Sequence, residues 1–121
     1  MFQVMRNGAN RVDVDFAGKL DSNEMRTGLA ELASQSEGIA HGRMLYRVGS
    51  FEMPTLGAMA VEVSQLPQLF KVVRRFDRMA VVADKGWVRK ASELEGALIP
   101  GLEIKAFGSA QSAEAEAWLQ R

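Results

Sequence analysis

Apolar and polar residues change their period several times along the chain, and each change marks an element. Phe2 to Met5 and Arg11 to Phe16 are short β-prone runs on either side of Arg6-Asn-Gly-Ala-Asn10. The Asn7-Gly8 dipeptide accepts positive φ in a tight turn, so the two runs read as a β-hairpin. In the second run Val12, Val14 and Phe16 alternate with Asp13 and Asp15, which predicts one buried face and one solvated face carrying the aspartates. Asp21-Ser-Asn-Glu24 has the spacing of a capping box. Met25, Leu29 and Leu32 then supply the apolar stripe of a helix expected to end near Gly38.

After a turn at His41-Gly42, Arg43 to Val48 reads as a strand. The stretch Val48 to Gly57, VGSFEMPTLG, hands it over to a helix predicted to start near Pro54, a residue preorganised for a first helical turn. Pro67 interrupts the helical pattern and is expected to kink or split the helix, because it lacks an N–H and clashes with the carbonyl four residues back. The second segment puts Leu66, Leu69, Phe70 and Val73 on one face. Lys71, Arg74, Arg75 and Arg78 fall at i, i+3, i+4 and i+7 on another, which predicts a cationic helix face.

Met79 to Ala83 is apolar throughout and bounded by charges, the pattern of a central strand covered on both faces. Asp84 is placed to cap a helix carrying Trp87, Ala91, Leu94 and Leu98, which Pro100-Gly101 stops. Leu102 to Phe107 is the last predicted strand, and Ser109 is expected to cap a closing helix through Trp118-Leu119. Strands alternating with helices imply right-handed crossovers and a mainly parallel sheet, with the antiparallel first strand at an edge. The expected fold is a single small α/β domain spanning residues 1–121.

Composition narrows the function. At 121 residues and 13.3 kDa there is room for one core. Fifteen basic residues balance fifteen acidic ones, so the chain lacks the field of a dedicated nucleic-acid or anionic-membrane binder. The absence of cysteine excludes disulfides, thiolate metal sites and cysteine nucleophiles, and it fits a cytoplasmic setting. Arg6, Asn7 and Gly8 interrupt the start where a signal peptide needs an apolar segment, and no run approaches a membrane span. A soluble protein without membrane insertion is expected.

The candidate chemistry is sparse. His41, the single histidine, has no carboxylate near it in sequence. Ser50 and Thr55 lie at the strand-to-helix junction, where free backbone N–H groups of a helix start favour an anion or a phosphoryl group. No Gly-rich phosphate loop or nucleophile elbow surrounds them. The face of Lys71, Arg74, Arg75 and Arg78 is the candidate for an anionic partner, although cations in the last turn of a helix also complement its dipole. Methionines 44, 53, 59 and 79, with Phe51, Phe70 and Trp87, are able to line an adaptable apolar pocket or to pack a core. Asp84 and Lys85 form an adjacent carboxylate and ammonium next to a strand exit. No catalytic residue, cofactor or metal site is expected.

MLYRVGSFEMPTLGAMAVEV, FDRMAVVADKGWVRK and the closing LEIKAF with AEAEAWL together resemble the SpoIIAA-like proteins of the STAS fold group. The resemblance implies a small α/β domain without known enzymatic chemistry, whose best understood relatives are anti-anti-sigma factors switched by a phosphorylated serine at the strand-to-helix junction. The switch pattern of those relatives reads Asp-Ser-Ser-Gly-Leu-Gly. With its Leu-Gly set on Leu56-Gly57, Glu52 falls on the acid, Met53 and Pro54 fall on the two serines, and Thr55 falls on the first glycine. The chain therefore resembles a member of the fold that has lost the serine switch. The expected function is a binding or regulatory module that takes a protein partner or small apolar ligand through Ser50, Phe51, Glu52, Met53, Thr55 and Gly57, with Asp84, Lys85 and Trp87 beside them. The alternative is phosphorylation control through Thr55 or Ser50, and a homodimer is a further expectation.

Overall fold

The computed structural model describes residues 1–51, 57, 60, 61, 64–84 and 101–121. Strands β1 (Phe2–Arg6), β2 (Arg11–Gly18), β3 (Gly42–Phe51), β4 (Phe76–Ala83) and β5 (Glu103–Gly108) form one five-stranded sheet in the order β1-β2-β3-β4-β5. β1 pairs antiparallel with β2, and every other pairing is parallel. The expected mainly parallel sheet with an antiparallel first strand at its edge is therefore present. Among the described residues it is accompanied by helices α1 (Ser22–Gln35), α2 (Leu66–Val73) and α3 (Ser112–Leu119). Gly57, Ala60, Val61 and Ser64 are also helical, as expected downstream of Pro54. Among the described residues no helix is long and apolar enough to cross a membrane.

Local chemistry accounts for the boundaries. Gly8 turns the hairpin at φ +107, a conformation open to glycine. Asp21 caps α1 by accepting a hydrogen bond from the Glu24 N–H at 2.9 Å. Glu24 is the other half of the predicted capping box, and its carboxylate reaches the ammonium group of Met1 at 3.5 Å. Pro67 stands in the first turn of α2, where its missing N–H would have had no intrahelical partner. Gln65 forms a turn just before it, so the proline separates two helical segments as the pattern predicts.

One sheet face carries Val12 and Val14 of β2 and Met44 of β3, which pack with Leu32 of α1, Val72 of α2, Ile39 and Phe76. Phe16 continues this layer against Leu20, Met25, Leu29 and Val61. On the opposite face Leu45, Ala80, Val82 and Phe107 meet Ala115, Trp118 and Leu119 of α3. β4 is thus covered on both faces, as its apolar run predicts. It begins at Phe76, ahead of Met79, and the middle place in the sheet belongs to β3.

Three expectations are corrected here. The face of β2 opposite the valines is not simply wet: Asp13 is buried at 8% exposure, because Arg11 and the covering helix take it out of water. Ser109 does not cap α3; Gln111 holds the N-cap position without a side-chain cap bond, and its Oε1 accepts from the Gly108 N–H at 2.7 Å. The four-cation helix face does not exist. α2 ends at Val73, Arg74 and Arg75 turn the chain, and Arg78 is a strand residue. The β-pairing of Phe76 onward with β3 overrides a helical spacing that the sequence would also tolerate.

Candidate functional site

Parallel strands in a common order bring their carboxyl ends to one edge, and in open α/β sheets that edge is where ligands bind. Gly18 of β2 pairs with Phe51 of β3, and Arg47 of β3 pairs with Val82 of β4. β3 therefore runs past the end of the β3/β4 ladder. Its last residues, Ser50 and Phe51, come to the same edge as Asp84, which is exposed just beyond β4. The structure places Ser50 inside β3, not in the loop, because the strand extends beyond Val48. Gly57 is helical and exposed. Glu52, Met53, Thr55, Lys85 and Trp87 lie outside the described residues, as does Met59 of the predicted methionine pocket, whereas Met44 is buried in the core and Met79 packs against it.

Of the predicted cationic group, Lys71 and Arg74 are exposed, and neither has a described partner. The other two are engaged near the amino ends of the parallel strands. Arg75 donates to the Ile39 carbonyl at 3.4 Å. Arg78 donates to the Trp118 carbonyl at 2.8 Å, and its guanidinium lies 5.3 Å from the centre of the Trp118 ring. Beside it Arg43 donates to the Leu119 carbonyl at 2.9 Å. The last carbonyls of a helix have no intrahelical donor and carry the negative end of its dipole. α3 has no basic residue in its last turn, so the sheet supplies the cations. Arg6 does the same for α1, donating to the carbonyls of Gln35 at 3.3 Å and Glu37 at 2.6 Å.

A second polar group locks α3 at its middle. Arg11 donates to both carboxylate oxygens of Glu116 at 2.6 Å, and its Nε donates to Asp13 at 2.8 Å. The hydrogen bond from Arg11 holds the Glu116 carboxyl below the ordinary glutamate range against partial desolvation, helped by the charges of Arg11 and Arg47. The bond to Glu116 in turn raises the guanidinium of Arg11 further above its usual value. Nearby, Arg47 makes a two-pronged pair with Asp15 at 2.7 and 3.1 Å. Sequence reasoning missed these pairs. The signal was present in the parity of the two strands: aspartates 13 and 15 alternate with valines on β2, and arginines 43 and 47 flank Leu45 on β3.

His41 has the left-handed φ of +56, and its Nδ1 lies 3.1 Å from Asp77, a carboxylate that also stands 3.7 Å from Arg43. The partner missing from the sequence neighbourhood comes from the adjacent strand β4. With the imidazole 85% exposed, this is a surface contact of small energetic weight. Among the described residues no group of three histidine, aspartate or glutamate side chains is placed to hold a metal ion.

A mixed sheet with one antiparallel edge strand and helices on both faces defines this as a small α/β domain of the SpoIIAA-like fold. A family model described as SpoIIAA-like matches residues 11–120, and the chain belongs to that family. Among solved structures it is similar to an uncharacterised protein of the DUF3478 family, with a SpoIIAA-like fold, from Shewanella loihica PV-4. The TM-score is 0.74 at 19% sequence identity, over 98% of this chain and 92% of that one. No curated protein matches. The likeness in coordinates concerns the fold.

Proposed function

We propose that this protein is a non-enzymatic binding module that engages a protein partner or a small apolar ligand at the carboxyl edge of its parallel sheet. The surface comprises Ser50 and Phe51 at the end of β3, Glu52, Met53, Thr55 and Gly57 after it, and Asp84, Lys85 and Trp87 after β4. One observation supports this reading: β3 and β4 pair in parallel, so their carboxyl ends, at Phe51 and Ala83, lie toward the same edge of the sheet. Met53 and Pro54, at the positions where the serine-switched relatives carry hydroxyls, favour constitutive binding over a phosphorylation switch.

The test is native mass spectrometry and affinity capture with protein taken from its own host. A retained ligand or a stoichiometric partner is expected, and Asp84→Arg at the carboxyl edge should release it while Arg74→Glu at the opposite edge should not. Wild-type protein that carries nothing and captures nothing refutes the reading, and so does a partner indifferent to Asp84→Arg. Intact-mass measurement of the same sample reports phosphate on Thr55 or Ser50, and its presence would replace constitutive binding with phosphorylation control.

A further inference from the structure

α1 carries two parallel stripes. Residues 25, 29, 32 and 36 are buried, the first three as apolar side chains against the sheet. One position further round, residues 26, 30 and 33 form a second stripe on α1, and residue 37, in the turn just past the Ser36 C-cap, follows at the same 4-3-4 spacing. These are Arg26, Ala30, Ala33 and Glu37, and together with Gln65, Gln68 and Val72 beside them they border a cleft of about 330 Å³ between α1 and α2. Arg26 and the carboxylate of Glu37 are exposed, and neither has a partner among the described residues. The stripe thus has a cation at one end, an anion at the other and two alanines between.

We propose that this cleft is the interface of a homodimer in which α1 packs antiparallel against α1 of a second copy. The sequence of the stripe is self-complementary under a two-fold axis. Antiparallel docking about a point midway between Ala30 and Ala33 sets each alanine against the other alanine of the second copy. It also sets Arg26 against Glu37 of the second copy, and Glu37 against its Arg26. A two-fold interface requires this reciprocity, since whatever residue i meets at j, j must meet at i. A parallel arrangement would set Arg26 beside Arg26 and Glu37 beside Glu37, which is repulsive at both ends. Arg26 in the helix and Glu37 in the turn after it lie at opposite ends of the stripe, about three helical turns apart, so one register satisfies both pairs and a one-turn slip satisfies neither. Alanine side chains let two helix backbones approach closely, and Val72 with the buried edge of Leu29 supplies the apolar floor. This interface lies away from the carboxyl edge and does not depend on the function proposed for it.

Sedimentation equilibrium across a concentration series tests it, with a charge-swap cycle as the diagnostic. Wild type is expected to dimerise. Arg26→Glu and Glu37→Arg each create two like-charge contacts and are expected to weaken dimerisation by about tenfold, a change on the order of 1.4 kcal/mol. The double variant restores the pairs in reverse and is expected to return close to the wild-type constant. Ala33→Arg, which fills the seam, is expected to give monomer with unchanged circular dichroism. A monomeric wild type overturns the proposal, as does dimerisation unaffected by Ala33→Arg or a double swap no tighter than the single variants.

Discussion

At the scale of single residues the structure resolves two conflicts between local preference and packing. Gly28 stands in the middle of α1, where glycine costs roughly 1 kcal/mol against alanine. Its position is fixed from outside the helix: a Cβ there would overlap the ring of Phe2, which reaches across from β1 and packs edge-on to Phe16 at 5.5 Å. Gly28→Ala is therefore expected to lower the urea midpoint despite its better helix propensity, by about 1 to 3 kcal/mol of overpacking. Gly28→Ala combined with Phe2→Leu should recover much of that loss. Ser36 is the opposite case. Its hydroxyl is fully buried at the C-cap of α1 with no hydrogen-bond partner, and a buried unpaired polar group costs about 1 to 3 kcal/mol. Ser36→Ala leaves the backbone geometry of the cap unchanged and is expected to raise the midpoint by about 1 kcal/mol in the same assay.

At the scale of elements, α3 shows how the sheet holds a helix that would not hold itself. Eight residues are below the length at which an isolated helix is stable, and its N-cap makes no side-chain bond. Trp118, Leu119 and Ala115 anchor one face, while Arg11, Arg43 and Arg78, from β2, β3 and β4, bind its middle and its last carbonyls. This arrangement has a pH signature. The Glu116 carboxyl has a lowered pKa in the folded protein, so the unfolded chain takes up a proton first as pH falls. The stabilisation is complete above the ordinary glutamate pKa and is lost as pH drops through the lowered value. Glu116→Gln is expected to flatten the acid limb of the stability curve in that window and to leave the neutral region with a constant loss. Chemical denaturation at a series of pH values from neutral to about 3 measures both.

At the scale of the whole molecule, what was legible in the sequence depended on how far apart the interacting residues lie. The hairpin at Asn7-Gly8, the Asp21 cap and the stop at Pro67 are decided within a few residues, and all stand where the pattern puts them. Lys85 and the predicted Trp87 helix lie outside the described residues. The engagement of Arg78 and the carboxylate beside His41 were not legible for one shared reason. Both take their partners from a distant element, with Arg78 meeting Trp118 and His41 meeting Asp77 across 40 and 36 positions of chain. Helical spacing and strand alternation both fit Lys71 to Arg78. Only pairing with β3 decides between them, and a parallel partner leaves no local trace in the sequence.

The same topology sets how damage should be distributed. Because the order is β1-β2-β3-β4-β5, Val14 on β2 and Val81 on β4 have a strand on either side, whereas Val4 lies on the antiparallel edge and is only half-buried. An interior position cannot relax toward solvent, so truncation there leaves a cavity in addition to the lost transfer energy. Val14→Ala and Val81→Ala are expected to cost about 2 to 3 kcal/mol each, and Val4→Ala about 1 kcal/mol or less. Equilibrium denaturation of the three variants measures the gradient. Equal losses at Val4 and Val14 would mean that β1 is covered as completely as β2, which contradicts its place at the margin of the sheet. A steep fall from Val14 to Val4 would also show that the hairpin strand contributes mainly through Phe2, by closing the helix face at Gly28, and less through its own share of the core.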